Sequence, residues 1–568
     1  MRPAFRERLV LGAILAGSLL LSLVPPLARG ALGIARNDDW DFSWCLFASV
    51  EAGHLVVDPW TSAMLWGHLV WAWPLVVVLG ENRAALQVAT ALIGAGALLS
   101  LYGLLRRWTP PWVAITTVAL TAFGPLYPLL AGSYMTDVPA CALQVLALGL
   151  GARALCGPDI RWLSWAGSLG LALAGFTVRE YSAAVLAGLV AGLVVRRPGR
   201  RDMVLAVAGL GLWAVLAATL FWLRLSSTTP MWAAGLEGGR PPIADSLAVT
   251  GRGVATLSLL VLPTLPWMVA LLVAARRTVR ARVMAAAGLT ISAAVVAVWF
   301  RAHPFVPIQP SYLSNKPACW VTLDGPAPTW MPSQAWVLVG LGSLLAAGCL
   351  TLVLLTSGVG GVRERRRRID HDAGQRDRRV ARAICLGFLG GGTALVVGLN
   401  AVRGFPTLDR YFLPLAPFLL AAVLALPVAG DRLRRVAAGA LALTAVAWAA
   451  WGVLASDAAA TNDALRWSVG RELADQGWSP STIDAGYEWW GAHQDVPTSA
   501  GPTRPGATFW TALFPGSPLC VQVSYAGAEG TGDQLVSRSA QTLSGAEIVV
   551  LARTADPLCA TPVSPASP

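Results

Sequence analysis

Long apolar runs separated by short arginine clusters are the feature that most limits what this 568-residue chain can fold into. A run of about 20 apolar residues is long enough for a helix that crosses a bilayer core of roughly 30 Å. The first run covers residues 9–27 and follows Arg2, Arg6 and Arg8. Hydrophobic residues make up 55% of the chain and charged residues only 13%, which is too apolar for an ordinary soluble protein. The sequence therefore predicts an all-α polytopic membrane protein.

The apolar runs predict about 13 transmembrane helices. Two helices are expected in residues 112–155 and two more in residues 162–195. The other predicted spans are residues 9–27, 83–105, 204–223, 254–275, 283–300, 335–356, 383–402, 411–428 and 436–454.

The arginine clusters indicate how these spans are oriented. Cytoplasmic loops of membrane proteins carry an excess of arginine and lysine, so the N-terminus is expected inside and the C-terminus outside the plasma membrane. The net charge of +12 then reflects orientation and contact with membrane lipids, and no nucleic-acid partner is expected. A cleaved signal peptide also begins with a basic stretch, but Ala28-Arg29-Gly30 is a poor cleavage site, which favours a retained first helix.

An acidic stretch directly follows the first run. Arg36-Asn37-Asp38-Asp39-Trp40-Asp41 carries three carboxylates in four residues, at a place where acidic groups are costly to desolvate. A tryptophan-rich segment then continues to residue 81, so residues 28–82 are expected to form an outer loop in the membrane interface. The acidic stretch is therefore a candidate site on the outer face.

Composition changes after residue 455, so the sequence divides into a transmembrane domain over residues 1–455 and an extracytoplasmic domain over residues 456–568. The second domain is expected to be a small α/β unit, with a helix over 462–476, strands over 521–525 and 548–551, and a disordered end over 561–568. Cys520 and Cys559 are expected to form a disulfide there, and Cys45 and Cys319 form a second candidate pair.

Several common catalytic patterns are missing from the sequence. It has no glycine-rich phosphate loop after a strand, no metal-type Cys/His spacing and no pattern indicating a Ser-His-Asp site. No metal site and no cofactor are therefore expected, although a divalent cation would be compatible with outer-face carboxylates.

Three motifs on the predicted outer face resemble the GT-C glycosyltransferases, in particular the protein O-mannosyltransferase and lipid A aminoarabinose transferase superfamily (family 39-like). They are the acidic pair after the first span, Thr136-Asp137-Val138-Pro139 and Arg410-Tyr411-Phe412-Leu413-Pro414. The resemblance covers roughly the transmembrane domain. It implies transfer of a sugar from a polyprenyl-phosphate-linked donor to a glycan, lipid or protein acceptor on the outer face, usually with inversion.

The resemblance also implies roles for individual residues. Asp38 occupies the position of the general base, with Asp39 as the second candidate for that role. Asp137 would orient the acceptor or a nearby cation. The residues expected to hold the donor phosphate are Arg179, Arg410 and Tyr411.

Each role has a structural alternative. Asp38 or Asp39 would also suit the N-cap of a helix, and Asp137 suits a helix N-terminus. Arg179 would be neutralised by a neighbouring Glu180. The alternative partner of Arg410 is Asp409.

The chain departs from the aminoarabinose-transferase pattern in one place and leaves two other classes of function open. The first outer loop reads Met64-Leu65-Trp66-Gly67-His68 where that subgroup carries a Glu-Lys-Pro element, which weakens the case for aminoarabinose as the sugar. A transporter or flippase for lipid-linked sugars would be expected to contain internal repeats. A noncatalytic binder of lipid-linked glycans is the other alternative.

Overall fold

The computed structural model describes residues 3–61, 63–228, 243–275, 311–365, 373–403, 407–494, 510, 518–528, 532–556 and 559. Within these ranges the chain is mainly helical and carries a four-stranded sheet near its C-terminal end. The predicted span over 283–300 and the predicted disordered end over 561–568 lie outside the described residues.

The described residues include 18 α-helices. They are α1 (Pro3–Arg29), α2 (Asp39–Ala52), α3 (Trp66–Leu79), α4 (Arg83–Leu105), α5 (Pro111–Ala122), α6 (Leu126–Ala131), α7 (Asp137–Leu155), α8 (Trp162–Val178), α9 (Ala184–Arg196), α10 (Arg200–Ser227), α11 (Ile243–Leu260), α12 (Leu265–Ala275), α13 (Ser333–Arg365), α14 (Ala373–Thr393), α15 (Leu399–Arg403), α16 (Ala416–Leu424), α17 (Asp431–Asp475) and α18 (Tyr487–Ala492). Short 3-10 turns lie at Glu180–Ala183, Leu262–Thr264, Trp320–Thr322, Asp409–Phe412 and Pro480–Thr482.

Seven of the described helices are long and apolar enough to cross a membrane. An eighth crossing results if the pair Val249–Leu260 and Leu262–Ala274, which meets at an angle of 57°, forms one broken span. Three shorter apolar helices, α3, α5 and α8, accompany them. The protein is thus a multi-pass membrane protein, and the expected total of about 13 spans stays a prediction.

The acidic stretch lies in a tight connection between α1 and α2. The connection passes through Gly30 and Gly33, both with positive φ, and then through Asn37, whose φ is 56°. Asparagine tolerates this left-handed conformation better than most residues with a side chain. α2 begins two residues later, so the carboxylates of Asp38 and Asp39 stand at a helix start with the backbone tightly constrained.

Helix α17 is 45 residues long, which corresponds to about 68 Å at 1.5 Å per residue. It includes both the predicted span over 436–454 and most of the predicted helix over 462–476, and it runs without a break through positions 455 and 456. Every residue from Ala455 to Asp463 is buried, whereas only 28% of the apolar window of this helix is buried. The helix therefore leads from a membrane-spanning part into a protein interior. The division into two domains at this point stays a prediction.

The sheet near the C-terminal end contains β1 (Ile483–Asp484), β2 (Val521–Tyr525), β3 (Gln534–Gln541) and β4 (Glu547–Thr554), in the order β1-β2-β4-β3. β1 pairs with β2 in parallel, and the other two pairings are antiparallel. The predicted disulfide between Cys520 and Cys559 is confirmed, with 5.6 Å between the Cα atoms. The second candidate pair is wrong, because Cys45 and Cys319 are both free, buried thiols.

The sheet and the end of α17 share one hydrophobic core with the acidic stretch. Buried residues of this core include Ala35 and Trp40 from the first loop, together with Trp489 and Val521 from the C-terminal part. The Trp40 indole lies directly against Gly491, where an added Cβ would stand 2.5 Å from the ring. The C-terminal part is thus packed onto the loop that carries Asp38.

Candidate active site

Asp38 lies where the first loop, the Asp409–Phe412 turn and α18 meet. One carboxylate oxygen, Oδ2, accepts a hydrogen bond from Nη2 of Arg410 at 2.7 Å. The other, Oδ1, accepts one from the Tyr487 hydroxyl at 3.2 Å. Asp38 occupies the N-cap position of α2, but its side chain makes no capping hydrogen bond. The carboxylate, which is 20% exposed, faces the tertiary site instead.

Asp39 is bound to the backbone. Its Oδ1 accepts the backbone N–H of Arg36 at 2.6 Å, and its Oδ2 accepts that of Tyr134 at 3.3 Å. The residue is only 2% exposed, and this burial raises the pKa of the Asp39 carboxyl to about 8. Asp39 therefore fastens the loop to the segment before α7, whereas Asp38 is turned toward charged partners.

Asp409 holds the turn that carries Arg410. Its carboxylate accepts the backbone N–H groups of Ser311, Tyr312 and Leu313 at 3.3, 2.8 and 2.6 Å, and that of Arg410 at 2.7 Å. Asp409 thus binds main-chain donors, and the carboxylate that pairs with the Arg410 side chain is Asp38. These four hydrogen bonds fix the backbone of the turn from which the Arg410 side chain extends.

The Arg410 guanidinium is buried, with 5% of the residue exposed. Only Nη2 is used by Asp38, and Nε and Nη1 have no hydrogen-bond partner among the residues that the structure describes. A buried N–H group without an acceptor is costly, and it is more costly still when it carries charge. The geometry thus leaves two donors of one arginine available to an anion beside the Asp38 carboxylate.

A second arginine, Arg179, lies near the same Tyr411 ring as Arg410. The Cζ atoms of Arg179 and Arg410 lie 5.1 and 5.7 Å from the ring centroid. Arg179 also donates to Oγ1 of Thr136 at 2.7 Å, and its Nε is 3.8 Å from Oδ1 of Asp137. The other oxygen of Asp137 is buried and has no partner within the described part of the chain. Asp137 is the first residue of α7, so it also suits the positive end of that helix.

The structure therefore joins five of the six expected residues by direct contacts and separates Asp39 from them. The connected set is Asp38, Arg410, Tyr411, Arg179 and Asp137. It contains two guanidinium groups and two carboxylates, of which only Asp38 retains appreciable exposure. The arrangement can bind an anion and accept a proton at adjacent positions.

The described residues do not offer a recognisable metal site. Nowhere among them do three or more His, Cys, Asp or Glu side chains gather in a way that could hold a metal ion. Asp38 and Asp137 each face an arginine.

An ionic network behind the site was missed by the sequence reasoning. Arg36 donates to Asp463 at 2.7 Å, and Arg466 donates to Asp463 at 3.1 Å and also to Glu488. Glu488 in turn accepts the backbone N–H of Asn37 at 2.7 Å. All four charged side chains are at most 7% exposed. The network fixes the residues directly before Asp38 to α17 and α18.

The sequence contains a signal that points to this network. The motif Tyr487-Glu488-Trp489-Trp490 places one acidic residue among three aromatic residues in an otherwise polar tail. Such density is typical of a buried contact surface rather than of an exposed helix.

The sequence matches no protein-family model and no curated protein. Among solved structures it is similar to the crystal structure of ArnT from Cupriavidus metallidurans bound to undecaprenyl phosphate, with a TM-score of 0.41 and 13% identity over 95% of this chain and 97% of that one. It is also similar to the archaeal oligosaccharyltransferase AglB from Archaeoglobus fulgidus in complex with an inhibitory peptide and a dolichol-phosphate, with a TM-score of 0.41 and 14% identity over 90% of this chain and 64% of that one.

Both of these structures are GT-C glycosyltransferases, the type that the sequence motifs resemble. The roles of individual residues rest on this chain's own contacts.

Proposed function

We propose that this protein is an integral-membrane glycosyltransferase that moves a sugar from a polyprenyl-phosphate-linked donor to an acceptor hydroxyl on the outer face of the membrane, with inversion. One observation carries the proposal. A partly exposed carboxylate, Asp38, is held by a buried guanidinium, Arg410, which has two further N–H groups without an acceptor among the described residues.

The free donors of Arg410 suit the donor phosphate. A polyprenyl-phosphate leaving group departs as an anion, so cationic hydrogen-bond donors stabilise it as the bond to the sugar breaks. Nε and Nη1 of Arg410 lie on either side of the Nη2 group that holds Asp38, and each keeps an N–H donor for a phosphate oxygen. Arg179, whose Cζ lies 5.1 Å from the centroid of the same Tyr411 ring, supplies a second positive charge. The phosphate is therefore expected to bind between the two arginines.

Asp38 then acts as the general base. The acceptor hydroxyl gives its proton to the carboxylate while its oxygen attacks the anomeric carbon. The bond between that carbon and the phosphate oxygen breaks, and its electron pair leaves with the phosphate. Because attack and departure take place on opposite faces of the sugar, the anomeric configuration inverts. The Asp38 side chain is 20% exposed and so can reach an incoming hydroxyl, whereas that of Asp137 is 4% exposed.

The contacts also distinguish Asp38 from the other two carboxylates, Asp39 and Asp137. Both Asp39 oxygens accept backbone N–H groups, which favours Asp38 for the base and gives Asp39 a structural role. One Asp137 oxygen lies 3.8 Å from Arg179, and the other has no partner among the described residues, so it is left to accept a hydrogen bond from a hydroxyl of the bound sugar. The identity of the sugar and of the acceptor is left open.

The proposal is tested with the purified protein in lipid vesicles, supplied with tritiated polyprenyl-phosphate-linked mannose, glucose or arabinose and with membrane extract as the source of acceptor. Transfer of label is expected from at least one donor, and Asp38→Asn is expected to lower the rate roughly 10²- to 10⁴-fold. Glu51→Gln, an exposed carboxylate on the same helix α2, is the matched control and is expected to leave the rate unchanged.

Three outcomes contradict the proposal in distinguishable ways. Full activity of Asp38→Asn shows that Asp38 is not the base. Movement of the donor across the vesicle membrane without transfer indicates a flippase. Binding of polyprenyl phosphate by the parent protein with neither transfer nor movement indicates a noncatalytic binder.

A further inference from the structure

We infer that Tyr487, which belongs to the C-terminal part of the chain, is a positioning residue for Asp38, so that the segment after the last span completes the active site. This inference rests on the proposed function, because it concerns the carboxylate that acts as base. Tyr487 is not among the residues to which the family resemblance assigns a role, and its neighbours along the chain form the sheet-bearing part of the molecule.

The first observation is how the two oxygens of Asp38 are used. Tyr487 donates its hydroxyl to Oδ1 at 3.2 Å, and Arg410 donates to Oδ2 at 2.7 Å. The two donors come from positions 449 and 372 residues away along the chain. With one donor on each oxygen, the carboxylate plane is fixed, and each oxygen keeps a lone pair for an incoming hydroxyl. Without the phenol, the carboxylate would be held at one oxygen only.

The second observation is that the Tyr487 ring is itself immobilised. The residue is 2% exposed and packs edge-on against Trp40, with 5.5 Å between the ring centroids. Trp60 lies at 5.7 Å and Trp510 at 6.5 Å. Trp40 and Trp60 come from the first loop, so the ring is enclosed by residues from both sides of the contact. A ring packed in this way presents its hydroxyl at a defined point, as a catalytic carboxylate requires.

The third observation is that the next residue anchors the same loop. Glu488 accepts the backbone N–H of Asn37 at 2.7 Å and is paired with Arg466. Two consecutive residues of the loop, Asn37 and Asp38, therefore contact two consecutive residues of α18, Tyr487 and Glu488. Asn37 has a left-handed backbone, with φ of 56°, which persists only when the surroundings hold it. The geometry of Asp38 thus depends on how α18 is docked.

The test is the variant Tyr487→Phe, which keeps the packed ring and removes only the hydroxyl. Its matched control is Tyr525→Phe. Tyr525 is also fully buried in the C-terminal part, and it donates its hydroxyl to Asn462 at 2.9 Å, away from Asp38. Initial rates of sugar transfer are measured in vesicles as a function of donor concentration and of pH, and thermal unfolding of both variants is followed in detergent.

Tyr487→Phe is expected to lower kcat roughly 10- to 100-fold, because small displacements of a catalytic group cost this much, while KM for the donor stays within about twofold. The acid limb of its pH–rate profile is expected to move to higher pH, since losing a hydrogen bond to a carboxylate favours the protonated form. Tyr525→Phe is expected to keep the kcat and the pH profile of the parent, even if its unfolding temperature falls by as much as that of Tyr487→Phe.

A parent protein that is active while Tyr487→Phe matches it in kcat and pH profile overturns this inference and leaves the proposed function standing. Equal losses of kcat in both variants also overturn it, because they would show a purely structural effect. A parent protein that transfers no sugar overturns the proposed function and this inference with it.

Discussion

At the level of single residues, the pair Asp38-Asp39 shows what a sequence can and cannot predict. The cluster of carboxylates after the first apolar run indicated that this stretch of chain has polar partners, because buried acidic groups need them, and the structure supplies partners for both residues. The proposed roles of the two neighbours differ because Asp38 is bound by the side chains of Arg410 and Tyr487, whereas Asp39 accepts backbone N–H groups. The partners that decide those roles, Arg410 and the Tyr134 backbone, lie 372 and 95 residues away. No local pattern contains that information.

The proposed double use of Arg410 makes Arg410→Lys a severe change although the charge is kept. Lysine offers one compact ammonium group, which cannot hold Asp38 and also supply the two separate N–H donors that the guanidinium leaves for a phosphate. We expect kcat/KM for the polyprenyl-phosphate donor to fall roughly 10²- to 10³-fold, with KM raised. Initial rates against donor concentration check this. Arg434→Lys, at an arginine that is 60% exposed, serves as the control, and parental kcat/KM in Arg410→Lys would count against the phosphate role.

At the level of secondary-structure elements, apolar runs predicted the long apolar helices that the structure describes. The predicted span over 411–428 is wrong as a single helix, because this segment consists of the Asp409–Phe412 turn and the nine-residue helix α16 (Ala416–Leu424). The predicted hairpin over 162–195 is present as α8 and α9 around the Glu180–Ala183 turn. The sequence predicted a span over 436–454 and a separate helix over 462–476, but the structure has one continuous helix, α17, through both. The alanine-rich segment Ala458 to Ala460 favours a helix whether lipid or protein surrounds it.

Strand β3 illustrates a different limit. It is an edge strand of the sheet, with seven of its eight residues partly or fully exposed. Its sequence, Gln-Leu-Val-Ser-Arg-Ser-Ala-Gln, lacks the apolar alternation that marked the strands over 521–525 and 548–551. β3 is stabilised by its pairing with β4, so the local sequence alone does not predict this strand.

The packing of α18 on the first loop can be tested at a single glycine. A Cβ at Gly491 would stand 2.5 to 2.7 Å from atoms of the Trp40 ring, and Trp40 is only 1% exposed and so has no room to move. We expect Gly491→Ala to destabilise the protein by about 1–3 kcal/mol and to reduce transfer activity, because α18 carries Tyr487. Gly439→Ala in α17, where nothing lies within 4 Å of an added Cβ, is expected to be neutral or stabilising. Thermal unfolding in detergent measures both, and equal midpoints would show that α18 is not closely packed on Trp40.

At the level of the whole molecule, composition predicted the membrane class, the sheet-bearing tail and the disulfide between Cys520 and Cys559. It did not predict that the tail and the first loop share one core, because the residues of that core are separated by the full length of the membrane part. The acidic stretch is therefore not a loop appended to a membrane bundle. It is the contact at which the membrane part and the C-terminal part are joined, and the proposed base lies at its centre.

Because buried charges hold the first loop and the C-terminal part together, removal of one of these charges is expected to weaken the contact between them. Arg466 is 1% exposed and lies between Asp463 and Glu488. Arg466→Ala leaves the buried Glu488 carboxylate without a cation and leaves Asp463 with Arg36 alone, and breaking a buried pair in this way typically costs about 3–5 kcal/mol. Arg538→Ala is the matched control, since its ion pair with Glu472 is largely exposed and is worth about 0–1 kcal/mol.

Amide hydrogen exchange followed by mass spectrometry separates a local effect of Arg466→Ala from a global one. We expect faster exchange in residues 31–40 and 483–494 and loss of transfer activity, while the helices that span the membrane exchange as in the parent. Unchanged exchange in these two segments would show that apolar contacts around Trp40 hold the first loop and the C-terminal part together without the charges. Faster exchange throughout would show that the network stabilises the whole fold. Faster exchange confined to these two segments would show that the contact that holds the active site together is less stable than the membrane-spanning helices.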